Sequence, residues 1–409
     1  MRSWLFIAFA CLCSGLSVGG QSLICRGEVV DAAGKRPVFL ARIATSDQAY
    51  STVSDTLGRF FLVLPIGYQR DFLVVSHISY QEKNIVFSSD YQEISLSEQI
   101  QVLPDMVVYS EKDVTHLMRK AIQKMSDNYL AHPYEQTGYT RQELSDGQMP
   151  VGFSEGVLHL LNGGLNAHYA KDKYMYLPSD IFFFEQFRQR GDQLSHEFSC
   201  TSVEDLLRIK KDVLHRTLLS EKEIDNFDFQ LEKYDFIGSD PIAVIAFRPK
   251  NPVSKLKNLS QQRVGFKRAY SGTLYLNMND FGIIKIRLST RDYRKAYLPV
   301  ALKEGFWVQH QGSDVVILFQ KVQEKYVLQY VSLHAVYQRS DKAQTQTART
   351  QMLLTHTQAQ VSARDKLNKK YQIKEWFDEL PIQQYPLPKV EEQPEFWDAF
   401  VVPISEKTK

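Results

Sequence analysis

Hydrophobic and polar positions alternate with a period of two through most of this chain, and short turn clusters interrupt the alternation. From Leu23 to about Tyr109 the pattern predicts strands at Leu23–Val30, Val38–Ile43, Arg59–Leu64, Phe72–His77, Asn84–Phe87 and Glu93–Leu96. Phe60, Leu62 and Leu64 give one of these strands a face to bury. Asp31-Ala32-Ala33-Gly34 and Asp55-Thr56-Leu57-Gly58 supply turns, with glycine free to take positive φ. The period then changes. Val114, Leu117, Met118, Ala121, Ile122 and Met125 recur at helical spacing behind a Ser110/Asp113 capping box, and Pro133 ends the helix.

Beyond Tyr134 the alternation returns at Tyr139–Leu144, Val157–Leu161, Phe229–Phe236, Ile242–Phe247, Gly272–Leu276, Ile283–Leu288, Val315–Phe319 and Tyr326–Val336. Asp146-Gly147, Asn162-Gly163 and Gln311-Gly312 mark hairpin positions. Two helical stretches interrupt, Ser202–Arg216 and Ser220–Phe227, each opened by a capping box. A meander with helices inserted reads as α+β. At the end, Pro381, Pro386, Pro388 and Pro394 exclude a long helix, and the neighbouring Trp376 and Trp397 predict an extended tail pinned by aromatic residues.

The N-terminus changes the picture of where the chain works. Arg2 followed by the apolar run Trp4–Leu16 is too short to span a bilayer and ends in small residues, so it reads as an export signal. Cleavage is expected before Gln21, with Ser17–Gly19 offering a site one residue earlier. Ala8-Phe9-Ala10-Cys11 fits a lipoprotein signal poorly. No later segment has the length of a membrane anchor. The net charge of +2, with 23% charged residues, argues against a broad nucleic-acid surface. Cys25 and Cys200 remain after cleavage; they permit one disulfide or two buried thiols, and no cysteine or histidine spacing resembles a zinc site.

Several of these residues carry a resemblance. Gly27-Glu28-Val29-Val30-Asp31, Gly34-Lys35-Arg36-Pro37, Ala41-Arg42-Ile43, Thr52 to Asp55, Gly58-Arg59-Phe60 and Ser76-His77-Ile78-Ser79-Tyr80 resemble, in order, the carboxypeptidase regulatory-like domain of Bacteroidetes envelope proteins. That resemblance implies a prealbumin-like sandwich without catalysis, ended by the strand Val102–Val108. Ser79 departs from it, since the family has glycine before the tyrosine. The stretch Lys120 to Arg141 resembles the connection that follows this domain, and Glu395-Phe396-Trp397-Asp398 its closing motif. Tyr234-Asp235-Phe236-Ile237-Gly238, Ile245-Ala246-Phe247, Ser271 to Leu276 and Phe281-Gly282-Ile283-Ile284 are similar to the half-barrel of the lipoprotein-sorting carriers, which implies a sheet wrapped around helices with an apolar hollow for acyl chains.

Candidate chemistry adds little. Gly152-Phe153-Ser154-Glu155-Gly156 satisfies G-x-S-x-G, with Asp292 and His310 following in the order a hydrolase triad needs. A nucleophile elbow demands an apolar strand before the serine and a helix after it, and neither flank complies. His132-Pro133-Tyr134-Glu135 matches a zinc H-x-x-E pair but sits where proline turns the chain. Lys250, Lys255, Lys257, Arg263, Lys267 and Arg268 form a basic stretch with no acidic residue between them. Such runs are usually solvated loops, and their functional alternative is contact with lipid head-group phosphates. Asn258-Leu259-Ser260 is a sequon relevant only to a eukaryotic secretory route. Phe182-Phe183-Phe184 and Phe187 form the densest aromatic cluster and read as core or sheet edge.

The expected fold is therefore mainly β: a signal peptide (1–20), a prealbumin-like or Ig-like β-sandwich (21–110), a linker helix (111–133), an antiparallel half-barrel-like α+β domain (134–375) and a Pro/Trp-containing tail (376–409). The expected function is a non-catalytic binding or scaffolding protein of the periplasm or outer-membrane-associated envelope. It holds a lipid, peptide or partner segment on an apolar sheet face, needs no cofactor or metal, and binds no nucleic acid. A periplasmic lipid or lipoprotein carrier and a serine hydrolase using Ser154 are the competing readings.

Overall fold

The computed structural model describes residues 23–65, 68, 72–99, 111–165, 180–191, 203–215, 218–250, 270–289, 300–301, 307–358 and 392–399. The chain is mainly β. Strands β1 (Leu23–Asp31), β4 (Arg59–Leu64) and β7 (Tyr91–Leu96) make one small sheet in the order β4-β1-β7. Strands β2 (Arg42–Thr45), β3 (Ser51–Val53), β5 (Phe72–Ser76) and β6 (Lys83–Val86) make a second, β3-β2-β5-β6. Val29, Ile43, Phe60, Leu62, Leu64, Leu73, Val75, Ile94 and Leu96 fill the space between them. Cys25 joins this core as a free thiol, and burial raises its pKa to about 11. Cys200, the leader and the Val102–Val108 strand lie outside the described residues. Strand β4 has the bounds that its alternation predicts. Strand β2 begins at Arg42 and not at Val38, because Leu40 takes a φ of +62°, which a strand cannot hold.

Helix α1 (Glu111–Asn128) leads into one large antiparallel sheet. Its strands are β8 (Tyr134–Asp146), β9 (Met149–Asn162), β10 (Ile181–Gly191), β11 (Phe227–Ile237), β12 (Asp240–Pro249), β13 (Ser271–Asn277), β14 (Ile283–Ser289), β15 (Val300–Ala301), β16 (Trp307–Val322), β17 (Lys325–Arg339) and β18 (Gln346–Gln358). The order is β10-β9-β8-β18-β17-β16-β14-β13-β12-β11, with β15 on β16, and the sheet is open, with β10 and β11 at its ends. The two halves of the meander meet where β18 pairs with β8, from Gln346↔Asp146 to Gln358↔Glu135.

Three expectations need correction. Ser220–Phe227 is not a helix: Ser220–Glu223 form a turn, a three-residue 3-10 segment follows at Ile224–Asn226, and β11 starts at Phe227. Phe227 and Phe229 are both buried while Asp228 and Gln230 are not, so the period of two overrides the capping-box signal. Gln311-Gly312 is not a hairpin but a bulge inside β16, where the register passes from His310↔Tyr337 to Gly312↔Val336. The hairpin comes at Gln323-Glu324, with φ of +48° and +62°. Asn162-Gly163 ends β9 without a tight turn into the next strand.

Alternation assigns the two faces of the large sheet. Val315, Ile317, Phe319, Val331, Leu333, Met352 and Leu354 face α1 and helix α2 (Val203–His215), which contribute Val114, Met118, Ala121, Met125, Leu206, Leu207 and Val213. Tyr129, just past α1, exchanges hydrogen bonds with the backbone of Ile283, its hydroxyl donating at 2.9 Å and accepting at 3.1 Å. On the opposite face Leu318, Tyr330 and Leu353 pack against Leu40 and Val53 of the sandwich.

Polar groups close the same junction. Gln320 Oε1 accepts from Ser51 Oγ at 2.7 Å and from Arg42 Nε and Nη2 at 3.1 and 3.0 Å, and Gln329 Nε2 donates to Ser51 Oγ at 3.1 Å. Burial lowers the Arg42 pKa to about 10. Tyr50 stacks on His356 with ring centroids 4.6 Å apart. At the far end of the sheet, Ser79 takes a φ of +76°, the left-handed conformation for which glycine is suited. Its backbone N donates to Phe236 O at 3.1 Å and its Oγ to Asp235 Oδ2 at 2.6 Å. The serine thus keeps a turn of glycine shape and adds a side-chain bond to the large sheet.

Two predictions test this junction. Ser79→Ala keeps the backbone strain and loses the bond to Asp235, whereas Ser79→Gly loses the bond and relieves the strain. Urea unfolding should therefore rank wild type above Ser79→Gly, and Ser79→Gly above Ser79→Ala by about 1 kcal/mol. His77, two residues earlier, has its pKa lowered to about 4 by burial and by the Lys285 ammonium. Below pH 6.5 the unfolded chain takes up a proton there that the folded chain refuses. Stability should fall as pH drops from 6.5 towards 4, and His77→Phe should flatten that part of a stability-versus-pH curve.

Candidate functional site

Ser154 lies inside β9, between β8 and β10, opposite Gln142 on one side and Gln189 on the other. Its hydroxyl faces Gln142 Oε1 at 3.4 Å. An antiparallel neighbour on both sides leaves no strand-to-helix elbow, so the G-x-S-x-G pattern has no hydrolase geometry here. Gly156 has a packing reason instead, since a Cβ there would overlap the Phe184 ring. Asp292 and the side chain of His310 lie outside the described residues. His132 and Pro133 precede β8 and Glu135 lies within it; among the described residues no group of three His, Cys, Asp or Glu side chains could hold a metal ion.

The residue next to Ser154 is more informative. Glu155 is fully buried and points to the face away from the helices, together with Arg141 of β8 and Arg188 of β10, which flank it in register. Its Oε2 accepts from Arg141 Nη1 at 2.7 Å and from the Tyr139 hydroxyl, and its Oε1 accepts from Arg188 Nε at 2.6 Å. Arg141 also pairs with Glu143 at 2.6 Å. Burial alone would lower the Arg141 pKa; Tyr139, Glu143 and Glu155 around it raise it instead. Burial, and then the Glu155 charge, push the Tyr139 hydroxyl well above its usual range.

Aromatic rings lie over these guanidinium groups. Arg141 lies 4.6 Å from the centre of the Phe153 ring, and Arg188 lies 4.4 Å from the Trp397 ring. Trp397 belongs to a short helix, α3 (Pro394–Ala399), and is buried. One turn earlier Glu392 forms a two-point ion pair with Arg190, whose Nη1 is 2.8 Å from Oε2. Gln186, on the same face of β10 as Arg188, is buried, and among the described residues its Oε1 has no hydrogen-bond partner. The outer face of β8–β10 is thus a row of arginines and aromatic rings with a segment from the chain's own C-terminus seated on it.

The helix face is tied down differently. Lys210 interrupts the apolar stripe of α2, is buried, and donates to Asp180 Oδ2 at 2.9 Å and to Asn162 Oδ1 at 3.3 Å, while Asp180 Oδ1 accepts from Gly163 N at 2.9 Å. Of the predicted basic stretch, Lys250 follows the end of β12, its backbone N donating to Asn226 O and its ammonium 3.8 Å from Asp228. Lys255, Lys257, Arg263, Lys267 and Arg268 lie outside the described residues. Phe182 and Phe184 face the helix-side core and Phe183 stacks on His159, so the aromatic cluster is an edge strand's contribution to packing.

Sequence reasoning missed Arg141, Glu155 and Arg188 because charged residues in strands read as solvent-facing. The one available signal was in β10, where Arg188 and Arg190 directly follow the aromatic run Phe182 to Phe187. Trp397 was marked only as an anchoring aromatic residue.

No family model matches the sequence. No curated protein matches it either, so neither comparison supports the carboxypeptidase regulatory-like resemblance. Solved structures with some likeness include a LolA superfamily protein from Nitrosomonas europaea, 8% identical, covering 62% of this chain and 95% of that one with a TM-score of 0.24. They also include MucB in complex with MucA(peri), and the Pseudomonas aeruginosa MucA/MucB complex; each is 9% identical and covers 61% of this chain and 100% of its own, with a TM-score of 0.18. Scores this low carry no functional argument. Among the described residues no helix is long and apolar enough to cross a membrane.

Removing one member of a buried ion pair strands the other, at a cost of about 3–5 kcal/mol, whereas exposed pairs contribute about 0–1 kcal/mol. Glu155→Ala should therefore destabilise by several kcal/mol in urea unfolding and Glu143→Ala by about 1 kcal/mol or less. Equal effects would mean that Glu155 is not the charge that organises this face.

Proposed function

We propose that the protein is a non-catalytic binding or scaffolding protein of the bacterial cell envelope, exported by the leader at residues 1–20, that engages a peptide or protein segment. The observation that carries this reading is the allocation of the two sheet faces. On the helix side, α1 and α2 already occupy the apolar surface, and Lys210 is bonded to Asp180 beneath them. On the other side the sandwich packs on β16, β17 and β18, and β8–β10 present arginines and aromatic rings to a peptide segment. Aromatic and arginine side chains are the residue types that dominate binding energy at protein interfaces. Ser154, the residue on which the hydrolase reading rests, lies within an antiparallel sheet and not on a strand-to-helix elbow.

The carrier alternative places an acyl ligand on the helix side, where it would have to displace α2 and break the Lys210–Asp180 pair. Native mass spectrometry of the protein purified from the envelope fraction separates the two. A bound peptide or protein, with no stoichiometric lipid, is the expected result. An acyl lipid at one per chain, lost in a variant that opens α2 such as Asp180→Ala, would replace this reading with the carrier.

A further inference from the structure

The outer face of β9–β10 is held by Glu392 and Trp397, which come from the far end of the chain. The geometry points to a peptide-recognition site whose resident is an internal ligand: the segment around residues 392–399 occupies a site for a partner peptide carrying a carboxylate five positions before an aromatic residue, with a helical turn between them as in the resident segment. This deepens the binding function proposed above and rests on it.

Three observations carry the inference. The first is charge complementarity, because Arg190 meets Glu392 at two points and Arg188 lies against Trp397, while Glu155 beneath is already shared between Arg141 and Arg188. The second is the division of labour among these contacts. The Arg190–Glu392 pair is exposed and so sets register more than affinity, whereas Trp397 is buried and provides the anchor. The third is Gln186, a buried amide one step along the same strand face from Arg188 whose Oε1 accepts no hydrogen bond. A buried acceptor without a donor is costly, and a peptide presenting a backbone or side-chain N–H at that point would satisfy it. Among the described residues, those of the resident segment included, none donates to that group, so a peptide that does gains where the internal one does not.

A tethered segment competes at an effective concentration in the millimolar range, which hides the site from dilute ligands. The test uses a fluorescein-labelled synthetic peptide spanning residues 390–400 and two forms of the protein, the full chain and a chain ending at residue 391. The truncated chain should bind the peptide at least about tenfold more tightly than the full chain, because the internal competitor is gone. Replacing the tryptophan of the peptide by alanine should cost at least about tenfold, and replacing its Glu392 counterpart by glutamine about two- to fivefold. Changes in the peptide cannot unfold the protein, so these arms stand independently of stability. If truncation abolishes the circular dichroism of the folded chain, the full-length Trp397→Ala chain takes its place as the open form.

Failure of a folded open form to bind the peptide, or equal binding to open and closed forms, overturns the inference. Binding that is indifferent to the tryptophan and the glutamate overturns it as well. None of these outcomes touches the broader proposal, which falls only if a stoichiometric lipid accompanies the native protein.

Discussion

The central strands of the large sheet are buried on both faces, and most of what is unusual in the chain follows from that. A sheet with one wet face can place any polar residue on it. Here β16, β17 and β18 have α1 and α2 on one side and the sandwich on the other. A polar side chain buried in them must therefore find a partner inside the protein or cost free energy. Gln320 Oε1 and Gln329 Nε2 do so between the large sheet and the sandwich, through Ser51 and Arg42, and Tyr330 does so with Gln351. The bulge that pairs Leu318 with Tyr330 and Phe319 with Leu328 leaves Gln329 as an extra residue, turned to reach Ser51. A local irregularity in one strand thus supplies a contact that joins the large sheet to the sandwich.

The same constraint explains which parts of the fold can be read from sequence. Strand β4 is legible because Phe60, Leu62 and Leu64 alternate and one small sheet buries them. Strand β18, Gln346 to Gln358, is not: Gln346, Thr350, Gln351 and Thr357 are all buried in it, so its pattern of polar residues imitates a loop. Strand β10 was legible as an aromatic edge but not as a bearer of charge. The short strand β3 has no period to detect. Its three residues are fixed by pairing with β2 and by packing on β18, both of which are long-range facts.

Burial of charge follows a different logic on either side of the sheet. Lys210 and Asp180 are a single pair set among apolar side chains, and the pair selects one seating of α2 more than it adds stability. Around Glu155 the arrangement is extended: two guanidinium groups share one carboxylate, a tyrosine hydroxyl supplies a further donor, and aromatic rings cover the cationic faces. Arginine suits this role because its planar group can bond in its plane and stack on its face at once. Lysine at either position could keep the charge but not both contacts.

That dual use of arginine decides how the C-terminal segment can be held. In-plane donors of Arg141 and Arg188 are directed to Glu143 and Glu155, and what meets an incoming chain is the flat face of Arg188, the fork of Arg190, whose Nη1 also donates to Gln189 O, and Gln186 Oε1, which has no partner among the described residues. A flat cationic face selects an aromatic ring, and a free fork selects a carboxylate. Glu392 and Trp397 are that pair, with Pro394 starting the short helix between them. Proline is favoured in the first turn of a helix because its missing N–H has no partner there in any case. The segment is therefore shaped by its own sequence to present a ring and a carboxylate to one side, and the strand face beneath it is ordered by Glu155, which accepts from Arg141 Nη1 and Arg188 Nε while Arg141 Nε goes to Glu143.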